Sequence, residues 1–389
     1  MVSVALVGIG GYGAAYASLM LEKGHEHDAR IVAAIDPAAE KTAHWEELKK
    51  RDIPSYHSLE QFLPGGKADL AVLSLPLHLH AKVTLQCLNA GMHVLCEKPL
   101  CATLEEAHAM IAARDKAQRR VAIGYQWSFS DPILQLKKDI QSGLFGKPRR
   151  LRSIVLWERK RSYYARASWA GAKLAADGSP VFDSPANNAT AHFLHNIFYV
   201  LGARPADAVA ELYRANPITN FDTAAARYHT EDGAEILYYC SHAVKGIVGP
   251  RFVYEFERGE VTYTSDNYER SNPIRARLAD GTEKIYGVPE GDASRKLWET
   301  IEAARGGPEP VCGIEAAMGQ TYAIVGMHRS CPEIAEFPNE LKRIDNEEND
   351  SLIHVEGLEA ALLAAYEQGK LPSEMGVGWA RAGKRISLT

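Results

Sequence analysis

The chain has 389 residues, beyond the size at which one hydrophobic core stops growing, so two domains are expected. With 46% hydrophobic and 24% charged residues it has the makeup of an ordinary globular protein, and a formal net charge of -5 gives no general pull toward nucleic acid or anionic membrane. Six cysteines without a CxxC pair suit a reducing compartment, and no apolar run approaches the roughly 18 residues of a membrane span, so a cytoplasmic protein without nucleic-acid or membrane partner is expected.

The N-terminus, MVSVALVGIG, lacks a basic start and a small-residue cleavage site and reads as a strand rather than a signal peptide. Val2–Val7 ends in Gly8-Ile9-Gly10-Gly11-Tyr12-Gly13, and Ala14–Lys23 reads as a helix, the context a dinucleotide fingerprint requires. Gly8 permits the tight turn, Gly10 lets the backbone approach a pyrophosphate, and Gly13 allows close packing of helix on strand. A second strand, Ile31–Ile35, ends at Asp36, 23 residues past Gly13, near the spacing of a ribose-binding acid. A carboxylate there accepts from the ribose hydroxyls and repels a 2′-phosphate, which favours NAD over NADP; the plainer reading of Asp36 is a strand-end turn residue before Pro37.

Strands at Leu70–Leu75, His93–Cys96 and Val121–Tyr125 alternate with helices near His80–Ala90 and Leu104–Gln118, as in a parallel sheet buried on both faces. Ligands bind beyond the carboxyl ends of such strands, which puts Ser74, Pro76, His80, Glu97, Lys98 and Gln126 on the binding edge with Gly11 and Tyr12. Lys98 could donate to a substrate oxygen and stabilise charge developing there, with Pro99 fixing the backbone that aims it. Away from such an edge, a lysine after a strand is an ordinary solvated charge. The first domain is assigned to residues 1–125 and the second to 126–389.

In the second domain the basic runs Lys147–Arg152 and Arg159–Arg161 read as solvated charges. Arg161–Gly171, rich in aromatic and basic groups without a clean period, supplies Tyr163, Tyr164, Arg166 and Trp169 either to a substrate pocket or to a subunit contact. Asp183–Gly202 reads as a helix starting at Ser184-Pro185 and stopping at Gly202, with Asn188, His192 and His195 on one face. Those three are either a site or buried polar groups satisfied within a core. A metal held by His192 and His195 lacks a third ligand at telling spacing, so none is expected. Strand-rich runs at 149–157, 208–213, 224–229, 234–241, 252–256 and 261–264 fit an antiparallel sheet whose uncovered face could pair with another subunit. Helices near 293–305 and 313–328 are expected to return and pack against the first domain, a further helix follows near 355–367, and an extension from about 331 to 389 is expected to pack across the second domain or a neighbour.

GIGGYG, the run LSLPLHLHAKVTLQCLNAGMHVLCEKP, GYQWSF and the NxxxHxxH segment closing on Leu201-Gly202 together resemble the Gfo/Idh/MocA oxidoreductases. The resemblance implies an N-terminal Rossmann domain, a doubly wound parallel sheet, joined to a C-terminal α+β domain with an open, mostly antiparallel sheet, and a homodimer or homotetramer formed through that sheet. It implies that Lys98 lies between nicotinamide and substrate and that His192 is the general base. The family commonly has aspartates where this chain has Asn188 and His195, and many members carry an arginine near Ser128. The expected function is NAD-dependent hydride transfer to or from a secondary alcohol of a sugar, polyol or cyclitol-like substrate, with Lys98, His192 and Asn188 catalytic and the loop tyrosines, Arg166, Trp169 and His195 lining the pocket. The alternative is a cofactor-binding regulator that kept the fold and lost catalysis.

Overall fold

The apolar run Val2–Val7 forms β1, whose residues are almost all buried, and the glycine-rich turn feeds α1 (Gly13–Lys23). Then follow β2 (Ala29–Ile35), α2 (Trp45–Lys50), β3 (Ser55–Tyr56), α3 (Leu59–Phe62), β4 (Leu70–Leu73), α4 (His80–Asn89), β5 (His93–Cys96), α5 (Leu104–Ala117) and β6 (Val121–Ile123). The structure is a computed structural model and describes residues 1–265 and 272–388, so Thr389, the last residue of the expected extension, lies outside the described residues. The six strands pair in the order β3-β2-β1-β4-β5-β6, every pair parallel. The order reverses between β1 and β4, so the helices after these two strands diverge and leave a crevice at the strands' carboxyl ends. A reciprocal capping box starts α5, with Thr103 Oγ1 accepting from Glu106 N and Glu106 Oε2 accepting from Thr103 N.

Next come α6 (Asp131–Gln141), β7 (Pro148–Trp157), α7 (Arg161–Ala165), α8 (Ala191–Leu201), β8 (Pro205–Arg214), β9 (Thr223–Thr230), β10 (Glu235–Ser241), β11 (Ile247–Phe256), β12 (Gly259–Thr264), β13 (Ile274–Leu278) and β14 (Glu283–Gly287). They are followed by α9 (Arg295–Ala304), α10 (Ile314–Ser330), β15 (Ala335–Glu336), β16 (Lys342–Asn346), β17 (Ser351–Val355), α11 (Leu358–Gln368) and β18 (Ile386–Ser387). A large sheet runs β14-β13-β12-β11-β7-β10-β9-β8-β15, with β18 also on β8; only β7/β10 and β8/β15 are parallel. The chain divides into two compact units, 1–129 with 292–318, and 130–291 with 319–389. Residues 292–318, which carry helices expected to return to the first domain, cluster with the dinucleotide-type unit even though they follow the 125/126 division.

Side chains alternate across the large sheet and dress its two faces differently. On one face Tyr238 donates to Thr190 Oγ1 just before α8, Tyr228 donates to the Ala323 carbonyl of α10, and Asn196 of α8 donates to the Tyr254 hydroxyl. On the other, Ile154, Leu156, Leu237 and Tyr239 form one buried cluster with Leu358, Leu362, Ala365 and Tyr366 of α11. The Tyr239 hydroxyl donates to the Lys370 carbonyl, 2.8 Å away, pinning the end of the helix. The sheet face expected to await another subunit is thus covered over β7–β10 by the chain's own extension. What remains, over β12–β14, is a small cleft lined by Glu260, Thr262, Arg275, Arg277 and Glu283. Leu362 is fully buried, so Leu362→Ala should lower unfolding free energy by about 3 kcal/mol through lost contacts and a cavity, measurable by urea denaturation.

Among the described residues no helix is long and apolar enough to cross a membrane, and no group of three or more His, Cys, Asp or Glu side chains could hold a metal ion.

Candidate active site

In the first unit the glycine turn is sterically obligatory at two points. Gly8 has φ +84°, and a Cβ there would lie 2.1 Å from the Ser74 carbonyl oxygen; one on Gly13 would lie 2.0 Å from the Gly8 carbonyl oxygen. Strand, loop and helix therefore pack at backbone contact, leaving the turn open above Gly11, where a Cβ would meet nothing within 4 Å. No side chain caps α1 and its first turn holds no acidic residue, so its positive dipole end is not neutralised. Asp36 Oδ2 accepts from Ile9 N at 3.0 Å and Gly10 N at 3.3 Å, while Oδ1 accepts from Ala38 N at 2.9 Å. A carboxylate is thereby held against the glycine loop at the end of β2, where a ribose belongs. These residues fit a dinucleotide: the loop and α1 would hold its pyrophosphate and Asp36 its ribose.

Along the same strand-end edge the predicted residues divide. Ser74, Pro76, Lys98 and Gln126 are partly exposed at the carboxyl ends of β4, β5 and β6. His80 is 1% exposed, its ring nitrogens lying 2.6 Å from the Pro99 carbonyl and 3.0 Å from that of Leu75; burial holds its pKa below the usual value despite both carbonyls. His80 thus clamps two binding-edge loops together. The Glu97 carboxylate is also turned inward, accepting from Tyr16 Oη at 2.5 Å and forming a buried ion pair with Lys296 Nζ. Burial alone would raise the Glu97 pKa, but Lys296 outweighs it and holds the group below the ordinary carboxylate value. Lys296 also reaches the Tyr12 hydroxyl at 3.1 Å and the Gly124 carbonyl at 3.3 Å. It was missed in the sequence because nothing local marks a lysine of an amphipathic helix as buried. His80 and Glu97, both expected at the cofactor edge, each have internal partners there.

In the second unit the segment before α8 departs from the sequence reading. The helix begins at Ala191, not after Ser184, and residues 184–190 form turns. Thr190 Oγ1 donates to the Pro185 carbonyl at 2.8 Å, and Asn187 Nδ2 donates to that of Phe182 at 3.2 Å. Short polar side chains here compete for backbone groups that a regular helix would use. Asn188 consequently precedes the helix that carries His192. From Asp183 to Val200 only Asn188, Ala189 and His192 keep partial exposure. His195 is buried beside Tyr199, their rings 5.3 Å apart, and burial with the nearby Lys137 charge pushes its pKa down to about 3. Of Asn188, His192 and His195, then, Asn188 precedes α8, His195 is enclosed within it, and His192 lies on it with partial exposure.

The aromatic–basic segment is organised. Tyr163 and Tyr164 lie on α7, a short helix where no period was evident, with their rings edge to face at 5.3 Å. The Arg166 guanidinium sits 3.7 Å from the Tyr163 ring centroid and 5.0 Å from that of Trp169. His242, one residue past β10 and not anticipated, is buried with Nδ1 3.2 Å from Tyr164 Oη. Burial, then the charges of Arg159 and Arg166, hold His242 neutral. Because β7 and β10 run parallel, Arg159 and His242 leave the sheet at the same edge. That topology was the signal that could have found His242.

One unit thus carries a Rossmann-type dinucleotide cradle, and the other an antiparallel-rich sheet with a polar edge of tyrosines, arginine and histidines. Residues 2–125 match the oxidoreductase family described as NAD-binding Rossmann fold, and residues 133–262 match the GFO/IDH/MocA C-terminal domain. The chain belongs to the GFO/IDH/MocA family. Among curated proteins it is similar to 1-carboxy-3-chloro-3,4-dihydroxycyclohexa-1,5-diene dehydrogenase of Comamonas testosteroni, 28% identical over 38% of this chain and 37% of that protein. It is also similar to scyllo-inositol 2-dehydrogenase (NADP(+)) of Bacillus subtilis, 32% identical over 26% of this chain and 29% of that protein. The chain thus spans well under half the length of these relatives. The WlbA dehydrogenase of Bordetella pertussis, solved with NADH and UDP-GlcNAcA, shares the fold at TM-score 0.71 and 22% identity, over 85% of this chain and 96% of that one.

Proposed function

We infer that the chain is an NAD-dependent oxidoreductase moving a hydride between nicotinamide and a secondary alcohol or ketone of a sugar, polyol or cyclitol-like substrate. The observation that carries this reading is that Lys98 follows β5 on the strand-end edge beside an intact dinucleotide cradle, while His192 is one of three partly exposed residues in an otherwise buried stretch of the second unit. The dinucleotide, when bound, supplies the hydride acceptor or donor. His192 takes the hydroxyl proton of the alcohol, and in the reverse direction returns it. The Lys98 ammonium stabilises the alkoxide-like oxygen as the carbinol hydrogen leaves. Tyr163, Tyr164 and Trp169 offer faces for a sugar ring and Arg166 a fork of donors for its hydroxyls. The relatives' names support a cyclic polyhydroxy substrate, since one acts on scyllo-inositol and another on a dihydroxycyclohexadiene. Homo-oligomerisation, if it uses the large sheet, is left the charged surface over β12–β14.

The test is reduction of NAD and of NADP against a panel of sugars, inositols, their acids and their phosphates. Turnover of at least one cyclic polyol or sugar with NAD is expected; no turnover of any of them with either dinucleotide would end this reading. Cofactor choice has its own test at Asp36. In Asp36→Asn the amide oxygen can still accept from the loop, but the charge that opposes a 2′-phosphate is gone. The NADPH-to-NADH affinity ratio should therefore rise roughly tenfold, with NADH affinity itself falling as the charged acceptor of the ribose hydroxyls is lost, read by fluorescence titration. Equal affinity of the unaltered chain for both would remove the role given to Asp36.

A further inference from the structure

Two guanidiniums on the polar edge of the second unit are gathered on one aromatic ring. Arg159, two residues past β7, has its Cζ 5.2 Å from the Tyr163 ring centroid and 5.8 Å from that of Trp157, while Arg166 lies 3.7 Å from the Tyr163 centroid. Trp157 in turn packs edge to face on Phe193 of α8 at 5.5 Å, so a single indole separates Arg159 from the residue that follows His192. Their charges are only half offset. Among the described residues Asp183 is the one carboxylate paired with either guanidinium, 3.6 Å from Arg166, and it already accepts from Asn188 Nδ2 at 2.7 Å and Gly171 N at 2.6 Å. Neighbouring acids are turned elsewhere: Glu158 accepts from Gly246 N at 2.6 Å, and Asp222 from Ala215 N and Asn216 N at 2.9 and 2.8 Å. Lys160 is paired with Glu347, Arg161 is exposed, and His242, buried and held neutral, adds no charge.

Two positive charges against one buried anion leave one in excess, and the aromatic surroundings weaken its screening. The donors are in excess as well. A guanidinium carries five N–H groups in a planar fork, and each of these spends one on a carbonyl of its own segment, Arg159 on that of Glu158 at 3.0 Å and Arg166 on that of Tyr163. Contact with the ring faces orients both forks without using their N–H groups. Resting on the oxidoreductase reading, we propose that Arg159 and Arg166 recognise a carboxylate of the substrate, which is therefore a cyclic sugar acid or cyclitol acid rather than a neutral polyol. A carboxylate suits the site in two ways: it presents two coplanar oxygens to a planar fork, and its single charge offsets the single excess, where a phosphate dianion would overshoot it. The acid group takes no part in the hydride transfer; it orients the ring for it.

Steady-state kinetics with NAD compare glucuronate, galacturonate and quinate with glucose, galactose and myo-inositol, and with glucose 6-phosphate. At least one acid should exceed its neutral counterpart about thirtyfold in kcat/KM. Arg159→Leu should erase most of that preference, with the loss on the acid carried mainly by KM, because the contact holds in ground and transition state alike. Arg166→Lys keeps a charge beside Asp183 but not the fork, and should reduce the preference about fivefold. A merely structural role would lower turnover of acid and neutral compound alike and move the melting temperature, so the acid-to-neutral ratio is the deciding readout. The proposal falls if every acid is used no better than its neutral counterpart, if the phosphate is preferred to all the acids, or if the preference survives Arg159→Leu. Calorimetric titration of the NADH-loaded chain with the same compounds separates the two levels. Absence of turnover on the whole panel overturns the oxidoreductase reading, whereas acids that bind no tighter than their neutral counterparts overturn the carboxylate site.

Discussion

Lys98→Ala should lower kcat by about 10²–10³ and His192→Ala by about 10²–10⁴, each with NADH affinity within a few-fold of the unaltered chain. The reasoning is that neither side chain belongs to the cradle formed by Gly8, Gly13 and Asp36, whose contacts lie in the first unit around β1 and β2. Lys98 loses an ammonium needed most when negative charge gathers on the reacting oxygen, so the loss belongs to the transition state. His192→Ala removes the proton acceptor and should also flatten the acidic limb of the pH–rate profile. Stopped-flow turnover with NADH titrations on the same preparations separates the two effects. Near-normal kcat in either variant would remove that residue from the chemistry; loss of NADH binding in both would show that they shape the cradle.

The largest stability loss is expected for Lys296→Met. Lys296 and Glu97 form an ion pair whose side chains are 1% and 9% exposed, and Lys296 also lies over the rings of Tyr12 and Tyr16 at 4.7 and 5.4 Å. Removing the ammonium leaves a buried carboxylate with the Tyr16 hydroxyl and the Lys98 amide as hydrogen-bond donors but without its buried counter-ion, which typically costs about 3–5 kcal/mol. Exchanging both groups in Glu97→Gln/Lys296→Met should cost less than the single change, because no charge is left stranded. The pair also sets a pH window. The lowered Glu97 pKa means its contribution is present above the ordinary carboxylate range and is lost as pH falls through the folded value. For Lys296, burial pulls the pKa down but Glu97 more than compensates, so its contribution holds below the ordinary ammonium range and is lost as pH rises through the raised value. Urea denaturation across pH checks both points; a double variant as unstable as Lys296→Met would contradict them. Because Lys98 follows Glu97 directly, Lys296→Met should also lower turnover.

What could be read from the chain was whatever local chemistry dictates. The glycine turn, the buried parallel strands and Asp36 at the end of β2 follow from spacing and periodicity, and the structure places them accordingly. The start of α8 did not, because Ser184-Pro185 is an apt helix start whose followers, Asn187 and Thr190, instead bond to nearby carbonyls and hold a turn. Lys296, His242 and the partnership of Asp183 with Gly171 and Asn188 were also hidden. Each depends on segments brought together by the fold: α9 against β5, the ends of β7 and β10 on one edge, and a loop closing on the residues before α8. The β16–β17 hairpin escaped for the same reason, whereas the extension packs across the second unit as expected, with α11 against the large sheet.

Hydride transfer is followed with a substrate from the panel deuterated at the carbinol carbon, by NMR of the nicotinamide produced. Deuterium should appear at C4 of NADH, with transfer lost in Lys98→Ala and His192→Ala. Binding of dinucleotide and sugar without deuterium reaching C4 would contradict it and favour the cofactor-binding regulator.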